Sequence, residues 1–287
     1  MAQPQLAAVV SYCSNERMFA RALLRNALAA TPHVFVAVGC RLYTGEPEDE
    51  AHLVALHAEF PAARFVVYDV GDDALARPIG LHNEARRAGV AAARAACGDD
   101  VWVLLLDGDE VPDGGALAGW WAARGPSLHP GTALKMANWW YFLSPLLVAD
   151  VHEDSVVIVH ISCLSDAALS HPRERDGVLM HNQCTGGPIS SVERMVYGLD
   201  GCTPMFHHFS WVRAGRAGLL AKVANWGHRH DRPWAALVNA ACDAVQGETS
   251  GWPHQDFVHG HALRVLERSP FEELQPRQVG PPSATNC

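Results

Sequence analysis

The sequence predicts an α/β fold in which a mostly parallel, Rossmann-like central sheet is flanked by helices and followed by a smaller mixed or antiparallel C-terminal region. In residues 1–125, short apolar runs alternate with helical patterns, which is typical of βαβ units. These runs are apolar throughout rather than at every second residue, as expected when helices cover both faces of a sheet. After residue 125 the alternation stops, and longer aromatic-rich runs are separated by glycine- and proline-rich turns.

The elements of the first half follow from these runs. Apolar runs predict strands at residues 6–12, 34–38, 64–70 and 101–106. Between them, apolar residues at helical spacing predict helices at residues 15–30, 46–60 and 81–97. Crossovers between parallel strands are nearly always right-handed, so each helix should pack back onto the sheet.

The second half is predicted from different patterns. Long apolar and aromatic runs predict antiparallel strands at residues 132–143 and 155–162, and apolar flanks around His207-His208 predict another strand. Helical spacing predicts helices at residues 213–223 and 234–245. Residues 269–287 are rich in proline and polar side chains, which predicts a flexible tail.

Composition and charge exclude several classes of protein. The net charge of −9 argues against a nucleic-acid binder, because phosphate backbones are held by clustered Lys and Arg. Eight scattered cysteines without a CxxC pair predict free thiols in a reducing compartment. Residues 1–6 lack the basic region of a signal peptide, and no apolar stretch is long enough to span a membrane. We therefore expect a cytoplasmic protein with no integral membrane segment.

Two aspartates, Asp107 and Asp109, follow the fourth predicted strand and are separated by Gly108. Ligands of open α/β sheets bind outside the carboxyl ends of the strands, and residues two apart in an extended chain point the same way. Mg²⁺ and Mn²⁺ take one or two carboxylates and complete their shells with water and substrate phosphates. The pair therefore predicts a metal–diphosphate site. The alternative is a polar turn that caps a helix beginning near Pro112-Asp113.

The sequence resembles the family 2-like nucleotide-sugar glycosyltransferases of the GT-A fold. The resemblance is carried by Val9-Val10-Ser11-Tyr12 with Asn15-Glu16, by Asn83-Glu84-Ala85-Arg86, and by Leu104-Leu105-Leu106-Asp107-Gly108-Asp109-Glu110-Val111-Pro112. It implies transfer of a sugar from a nucleotide diphosphate sugar to a carbohydrate or other hydroxyl acceptor. It also implies a nucleotide-sugar-binding half at residues 1–125 and an acceptor-binding half at residues 126–268 of one domain.

The resemblance also implies roles for individual residues. Asp109 would bind Mn²⁺ or Mg²⁺ directly, and Asp107 would contact the metal or the ribose. Residues placed near the nucleotide would be Tyr12, Asn15, Glu16, Asp69, Asn83 and Arg86. For Asn15 and Glu16, simple helix capping is an equal alternative. Arg194, Arg213 and Lys222 are candidates to pair with the diphosphate.

Many GT-A enzymes take a third metal ligand from the second half, often a histidine. The predicted strand around His207 and His208 would present one of the two inward, and neutral imidazole is a suitable ligand for Mn²⁺. The pairs His228/His230 and His259/His261 have the same spacing, but we expect them to be surface or loop histidines.

An inverting transferase also needs a carboxylate base, and here the sequence departs from the family 2 pattern. The usual Glu-Asp pair occurs only as Glu153-Asp154, which comes early in the chain. Glu193 and Asp256 are the candidates that we select for the base. The tryptophans of the second half suit a sugar-stacking platform, although a buried aromatic core is the better expectation.

Three other classes of protein compete with this interpretation. A haloacid-dehalogenase-like phosphatase would use Asp107 as its nucleophile, but that motif belongs to the first strand rather than the fourth. A nucleotidyltransferase needs a glycine-rich loop bearing Lys or Arg, which the first strand lacks. An inactive sugar-binding module would tolerate Asp109→Ala with little loss of nucleotide binding.

Overall fold

The computed structural model describes residues 3–72, 78–247 and 253–274. Its first half contains four parallel strands, namely β1 (Gln5–Tyr12), β2 (His33–Gly39), β3 (Arg64–Tyr68) and β4 (Val101–Asp107). They lie in the order β3-β2-β1-β4, so the chain changes direction across the sheet between β1 and β4. Such a switch point opens a crevice at the carboxyl ends of the two strands. The predicted α/β, Rossmann-like class is confirmed.

Helices cover both faces of β1, β2 and β4, which explains why these strands are apolar at almost every position, whereas the edge strand β3 has no fully buried residue. Each of the first three strands is followed by a helix, namely α1 (Arg17–Ala30) after β1, α2 (Glu50–Glu59) after β2 and α3 (Pro78–Cys97) after β3. A short strand β5 (Glu110–Pro112) comes after β4 and leads into α4 (Gly114–Arg124). Ala8 and Val10 of β1 belong to one apolar core together with Phe19 of α1. Val9 belongs to a second core on the opposite face, together with Val90 of α3. Successive strand residues point to opposite faces, so both sets must be apolar.

The second half extends the same sheet with strands of both directions. Strand β7 (Leu147–His160) is antiparallel to β4 and to β6 (Thr132–Leu143). Strand β6 also pairs in parallel with β8 (Ser191–Val196) and β9 (Phe206–Val212), and β10 (Leu263–Val265) pairs with β7. The predicted mixed C-terminal region is therefore continuous with the central sheet.

Four further helices complete the described part of the chain, namely α5 (Asp166–Leu169), α6 (Glu174–Thr185), α7 (Gly215–Ala224) and α8 (Trp234–Gly247). Helices α7 and α8 correspond to predicted helices. Helix α6 escaped prediction because its sequence is largely polar and contains Gly177, which lowers helical propensity. Its first turn nevertheless delivers Glu174 and Arg175 to the carboxyl end of β4.

The sheet curls back on itself beyond β4. Strand β5 begins three residues after β4 ends, yet it pairs with β9, at the far end of the strand order. Glu110 lies opposite His208 in this pairing, and the Phe209 amide donates a hydrogen bond to the Asp109 carbonyl at 2.8 Å. The curl therefore brings β9 to the two aspartates.

The first residues of the predicted tail are packed. Phe271 and Leu274 are buried in the core that contains α1, while residues 275–287 and Trp252 lie outside the described residues. Seven cysteines fall within the described ranges and all are free thiols. In those same ranges, no helix has the length and apolar character needed to cross a membrane.

Candidate active site

A cleft lies at the carboxyl ends of β1 and β4, at the switch point of the sheet. Ser11 of β1 pairs in register with Asp107 of β4, so the two strand ends lie side by side. The opposite walls come from the second half of the chain and include Glu174 of α6, His208 of β9 and Lys222 of α7. The cleft is thus assembled from both halves.

Gly108 packs closely against the residues that end and follow β1. A Cβ on Gly108 would lie 3.0 Å from Glu16 Cβ and 3.2 Å from a ring carbon of Tyr12. A side chain at this position would make Tyr12 or the 3-10 turn Ser14–Glu16 shift by a few tenths of an ångström. Gly108 therefore permits the close approach of β1 and β4 at the cleft.

Asp107 is held between two arginines. Its Oδ1 accepts a hydrogen bond from Arg86 at 2.9 Å, and its Oδ2 lies 3.3 Å from an Arg175 nitrogen. Burial would raise the pKa of Asp107, but the Arg175 and Arg86 guanidinium groups outweigh burial and hold the pKa below its ordinary value. Arg175 also binds both carboxylate oxygens of Glu110, a residue with no solvent exposure.

Asp109 is buried beside a lysine. Lys222 Nζ lies 2.8 Å from Asp109 Oδ2 and 3.0 Å from Glu16 Oε1, so one ammonium joins the ends of β1 and β4. Arg213 also binds Glu16 and lies 3.7 Å from Asp109. Burial would raise the pKa of Asp109, but Lys222, His208 and Arg213 hold it well below the ordinary value. Asp109 is therefore ionised at neutral pH.

A possible set of metal ligands in the cleft combines Asp107 with His82 and Glu174. One ligand atom from each of these three residues lies within 4.8 Å of the other two. His82 Nδ1 is buried and makes no hydrogen bond within the described part of the chain. Burial lowers the pKa of His82, which keeps the imidazole neutral and able to coordinate a cation. The three residues offer ligands for a divalent cation, with Asp107 rather than Asp109 at the centre of the group. Arg86 binds Asp107 at 2.9 Å and Glu174 at 3.1 Å, so it would have to move to admit the ion.

The two histidines predicted as metal ligands point to opposite faces of β9. His208 lines the cleft, with Nε2 3.7 Å from Asp109 Oδ1. His207 instead packs against Phe271, and its Nδ1 lies 2.9 Å from the Tyr141 hydroxyl. Adjacent residues of a strand cannot both face one ion, so the structure brings only His208 to the aspartates.

The buried position of His207 predicts a loss of stability in acid. Burial lowers the pKa of His207 to about 4, so the folded state binds this proton less readily than the unfolded chain does. The contribution to stability is complete above about pH 6.5 and is lost as the pH falls toward 4. We expect His207 to account for about 2–3 kcal/mol of destabilisation between pH 7.5 and 4.5.

Urea unfolding at these two pH values measures this loss. His207→Gln should have a weaker pH dependence than the wild type, because glutamine cannot be protonated in this range. His57→Gln, at an exposed position of α2, is the matched control and should keep the full dependence. Equal pH dependence in the wild type and His207→Gln would contradict the prediction.

The residues expected near the nucleotide are distributed unevenly. Tyr12 and Glu16 line the cleft, and the Tyr12 hydroxyl lies 2.7 Å from His52 Nε2. Asn15 has a buried amide nitrogen that makes no hydrogen bond to any described residue. Asp69 is exposed beside Cys40 and does not line the cleft. Asn83 donates a hydrogen bond to the His171 carbonyl at 3.1 Å and so ties α3 to the segment before α6.

Neither carboxylate selected as the base lies in the cleft. Glu193 is exposed on β8, where it forms an ion pair with Arg124 at 3.2 Å. Asp256 is buried, and its carboxylate accepts hydrogen bonds from four backbone amides of its own loop. The only carboxylates that line the cleft, among the described residues, are Glu16, Asp107, Asp109 and Glu174.

The charges around the cleft are nearly balanced. Five carboxylates belong to this network, namely Glu16, Asp107, Asp109, Glu110 and Glu174, and they face four permanent cations, namely Arg86, Arg175, Arg213 and Lys222. His228 Nε2 lies 3.4 Å from Glu174 Oε1, and its hydrogen bond to this carboxylate raises the pKa of His228 to about 9, which adds one more positive charge at neutral pH. Arg41 also lines the cleft and pairs with Asp72 at 3.1 Å, so this part of the chain holds no excess positive charge for an anionic ligand.

Comparison with known proteins adds little. No family model matches the sequence, and no curated protein matches it. Among solved structures, the "inositol-1-phosphate CTP transferase from T. maritima" aligns with 72% of this chain and 89% of its own length, at 9% sequence identity and a TM-score of 0.39. At that TM-score the likeness carries no argument about what this chain binds or does.

Proposed function

We propose that the protein is a metal-dependent glycosyltransferase that moves a sugar from a nucleotide diphosphate sugar to a hydroxyl of a carbohydrate or other acceptor. The observation that carries this proposal is the position of Asp107-Gly108-Asp109 at the carboxyl end of β4, inside the switch-point cleft. The GT-A resemblance of the same segment supports it.

The charge balance of the cleft supports metal dependence. A donor diphosphate brings about two negative charges into a network whose own charges already cancel, so an additional cation would stabilise the complex. Asp107, His82 and Glu174 would hold Mn²⁺ or Mg²⁺, with Asp109 and His208 adjacent. When bound, such an ion neutralises the charge that develops on a departing diphosphate.

Side chains that line the cleft would position the donor. Tyr12 lies at the end of β1, on the side of the cleft where the GT-A resemblance places the base and ribose. Lys222 and the protonated His228 line the cleft and are able to donate hydrogen bonds to phosphate oxygens. We assign the catalytic base to neither Glu193 nor Asp256, because both lie outside the cleft.

The phosphatase alternative is disfavoured by the position of Asp107 in the fold. A phosphatase of that class carries its nucleophilic aspartate after the first strand, whereas Asp107 ends the fourth strand along the chain.

A thermal-shift experiment tests the proposal. UDP-, GDP- and dTDP-sugars are added with and without Mn²⁺. A donor at about 100 times its Kd stabilises the fold by about 2.7 kcal/mol, which is a shift of about 5–10 °C. We expect one donor to give this shift only with Mn²⁺, and the absence of any shift would overturn the proposal.

Variants of two aspartates, Asp107 and Asp113, test whether the Mn²⁺-dependent shift requires Asp107. Asp107→Asn should abolish the Mn²⁺-dependent shift, because an amide is a weaker ligand than a carboxylate. Asp113→Asn is the matched control, since Asp113 caps α4 at an exposed position and asparagine caps equally well. An equal donor shift in both variants would contradict the metal role of Asp107.

A further inference from the structure

A second cluster of metal-binding side chains lies outside the cleft. It consists of Glu153 in β7 with His259 and His261 in the loop before β10. Glu153 Oε1 lies 3.2 Å from His261 Nε2 and 3.5 Å from His259 Nε2. The three ligand atoms lie within 4.8 Å of one another. Glu153 precedes the two histidines by about a hundred positions in the sequence.

The loop that carries both histidines is internally braced. The Asp256 carboxylate accepts hydrogen bonds from the amides of four consecutive residues, 258–261, at 2.7, 2.6, 3.3 and 2.8 Å. Gly260 has a φ of 76°, a conformation that favours glycine, and Gln255 forms an antiparallel bridge with Ala262. The loop therefore fixes the backbone of both histidines, and their imidazole rings stack with centroids 5.3 Å apart.

The two separations from Glu153 match the geometry of a tetrahedral zinc site. Zinc bonds of about 2.0–2.1 Å to nitrogen and oxygen place neighbouring tetrahedral ligands about 3.4 Å apart. Glu153 lies at almost this distance from both histidines. Two histidines and one glutamate, with water or substrate at the fourth position, form a ligand set that occurs in zinc enzymes.

The cluster is accessible to an ion from solvent, and its two imidazole rings pack against a buried tryptophan. His259 is 45% exposed and His261 is 26% exposed, so the cluster is open to solvent. Both rings meet the face or edge of buried Trp140, with centroids 5.2 and 6.1 Å away, which restricts their rotation. Glu153 and His259 also line a groove shared with His208 and His228 of the cleft.

We propose that Glu153, His259 and His261 form a zinc-class divalent metal site that is separate from the cleft around Asp107. Its fourth coordination position is open to water or to an anionic group of a ligand in the adjoining groove. The site is independent of the proposed glycosyl transfer, because none of its three residues lines the Asp107 cleft.

Metal titration of the full-length, metal-free protein tests this site. Zn²⁺ affinity is measured by calorimetry, and Co²⁺ is the spectroscopic probe because its visible absorption reports tetrahedral coordination. The wild type should bind one equivalent with a tetrahedral spectrum in addition to any ion held at Asp107, and Asp107→Asn should bind that one equivalent alone. Loss of an outer hydrogen-bond partner already weakens metal binding by about 10–100-fold, so His259→Gln and His261→Gln should each weaken it by more than about 100-fold.

Two controls distinguish the site from the cleft and from surface binding. Asp107→Asn should keep the tetrahedral Co²⁺ spectrum, and so should His57→Gln, at an exposed position of α2. Circular dichroism of each metal-free variant verifies that the chain is folded. A wild type without the tetrahedral spectrum, or histidine variants with unchanged Zn²⁺ affinity, would overturn the proposal and leave a hydrogen-bonded His–Glu cluster only.

Discussion

Replacing Arg175 by methionine should destabilise the protein by about 3–5 kcal/mol. Arg175 binds both oxygens of the fully buried Glu110 and also the Leu105 carbonyl, and it lies 3.3 Å from Asp107. Methionine keeps most of the volume but leaves the Glu110 charge buried without its main partner. For a chain of this size the melting temperature should fall by about 10 °C.

Arg173, two positions before Arg175, supplies the control for this prediction. Arg173→Met changes the same residue type at an exposed position and should alter stability by less than about 0.5 kcal/mol. Adding Glu110→Gln to Arg175→Met should recover part of the loss, because the unpaired charge is removed. Equal melting temperatures for the Arg173 and Arg175 variants would contradict the structural role of this ion pair.

Lys222→Met should weaken donor binding by about 10- to 100-fold, which is the loss of one charge-assisted hydrogen bond. Lys222 lines the cleft and neutralises Glu16 and Asp109. Without it, those two carboxylates face the donor diphosphate with Arg213 as their main partner. Calorimetric titration of the donor that gives a thermal shift measures the change in Kd.

Lys135 is the only other lysine of the chain and makes a closely matched control. It is also buried, with Nζ 3.0 Å from Asp154 and 2.8 Å from Asp176, but it does not line the cleft. Both lysine variants should lower the melting temperature, because each leaves carboxylates without a partner. Only Lys222→Met should raise the Kd for the donor, and an equal effect of both variants on Kd would contradict the role of Lys222.

The first half of the fold was predictable because its signals are local. Strands buried on both faces are apolar at every position, and each helix shows helical spacing between them. The second half was less predictable because its strands pair with distant segments. The pairing of β5 with β9 cannot be read from the sequence of β5, because that strand has only three residues and its partner is distant in the chain.

The candidate site was only partly predictable for the same reason. The position of Asp107 and Asp109 after a buried strand indicated the cleft, and Lys222 and Arg213 were candidates for it as cations of the second half. The sequence could not decide between His207 and His208, since that choice depends on which face of β9 meets the core. Arg194, considered for the diphosphate, instead pairs with Asp154 on the surface.

His82, Glu174 and Arg175 belong to the cleft through contacts that span long separations in the sequence. Arg86 and Glu174 lie 88 positions apart, and Arg175 and Glu110 lie 65 apart. Glu174 also has a φ of 51°, a conformation that costs of order 1–3 kcal/mol for a residue other than glycine. Such strain often accompanies a functional position, but the sequence alone gives no sign of it.

The identity of the released nucleotide tests the proposed transfer of a sugar most directly. The protein is incubated with Mn²⁺ and the nucleotide diphosphate sugar that gives the thermal shift, and the nucleotide products are separated by chromatography. Glycosyl transfer, or hydrolysis in the absence of an acceptor, releases the nucleoside diphosphate, and Asp107→Asn should not release it. Release of pyrophosphate from a nucleoside triphosphate and a sugar phosphate, with no turnover of any nucleotide diphosphate sugar, would contradict the claim.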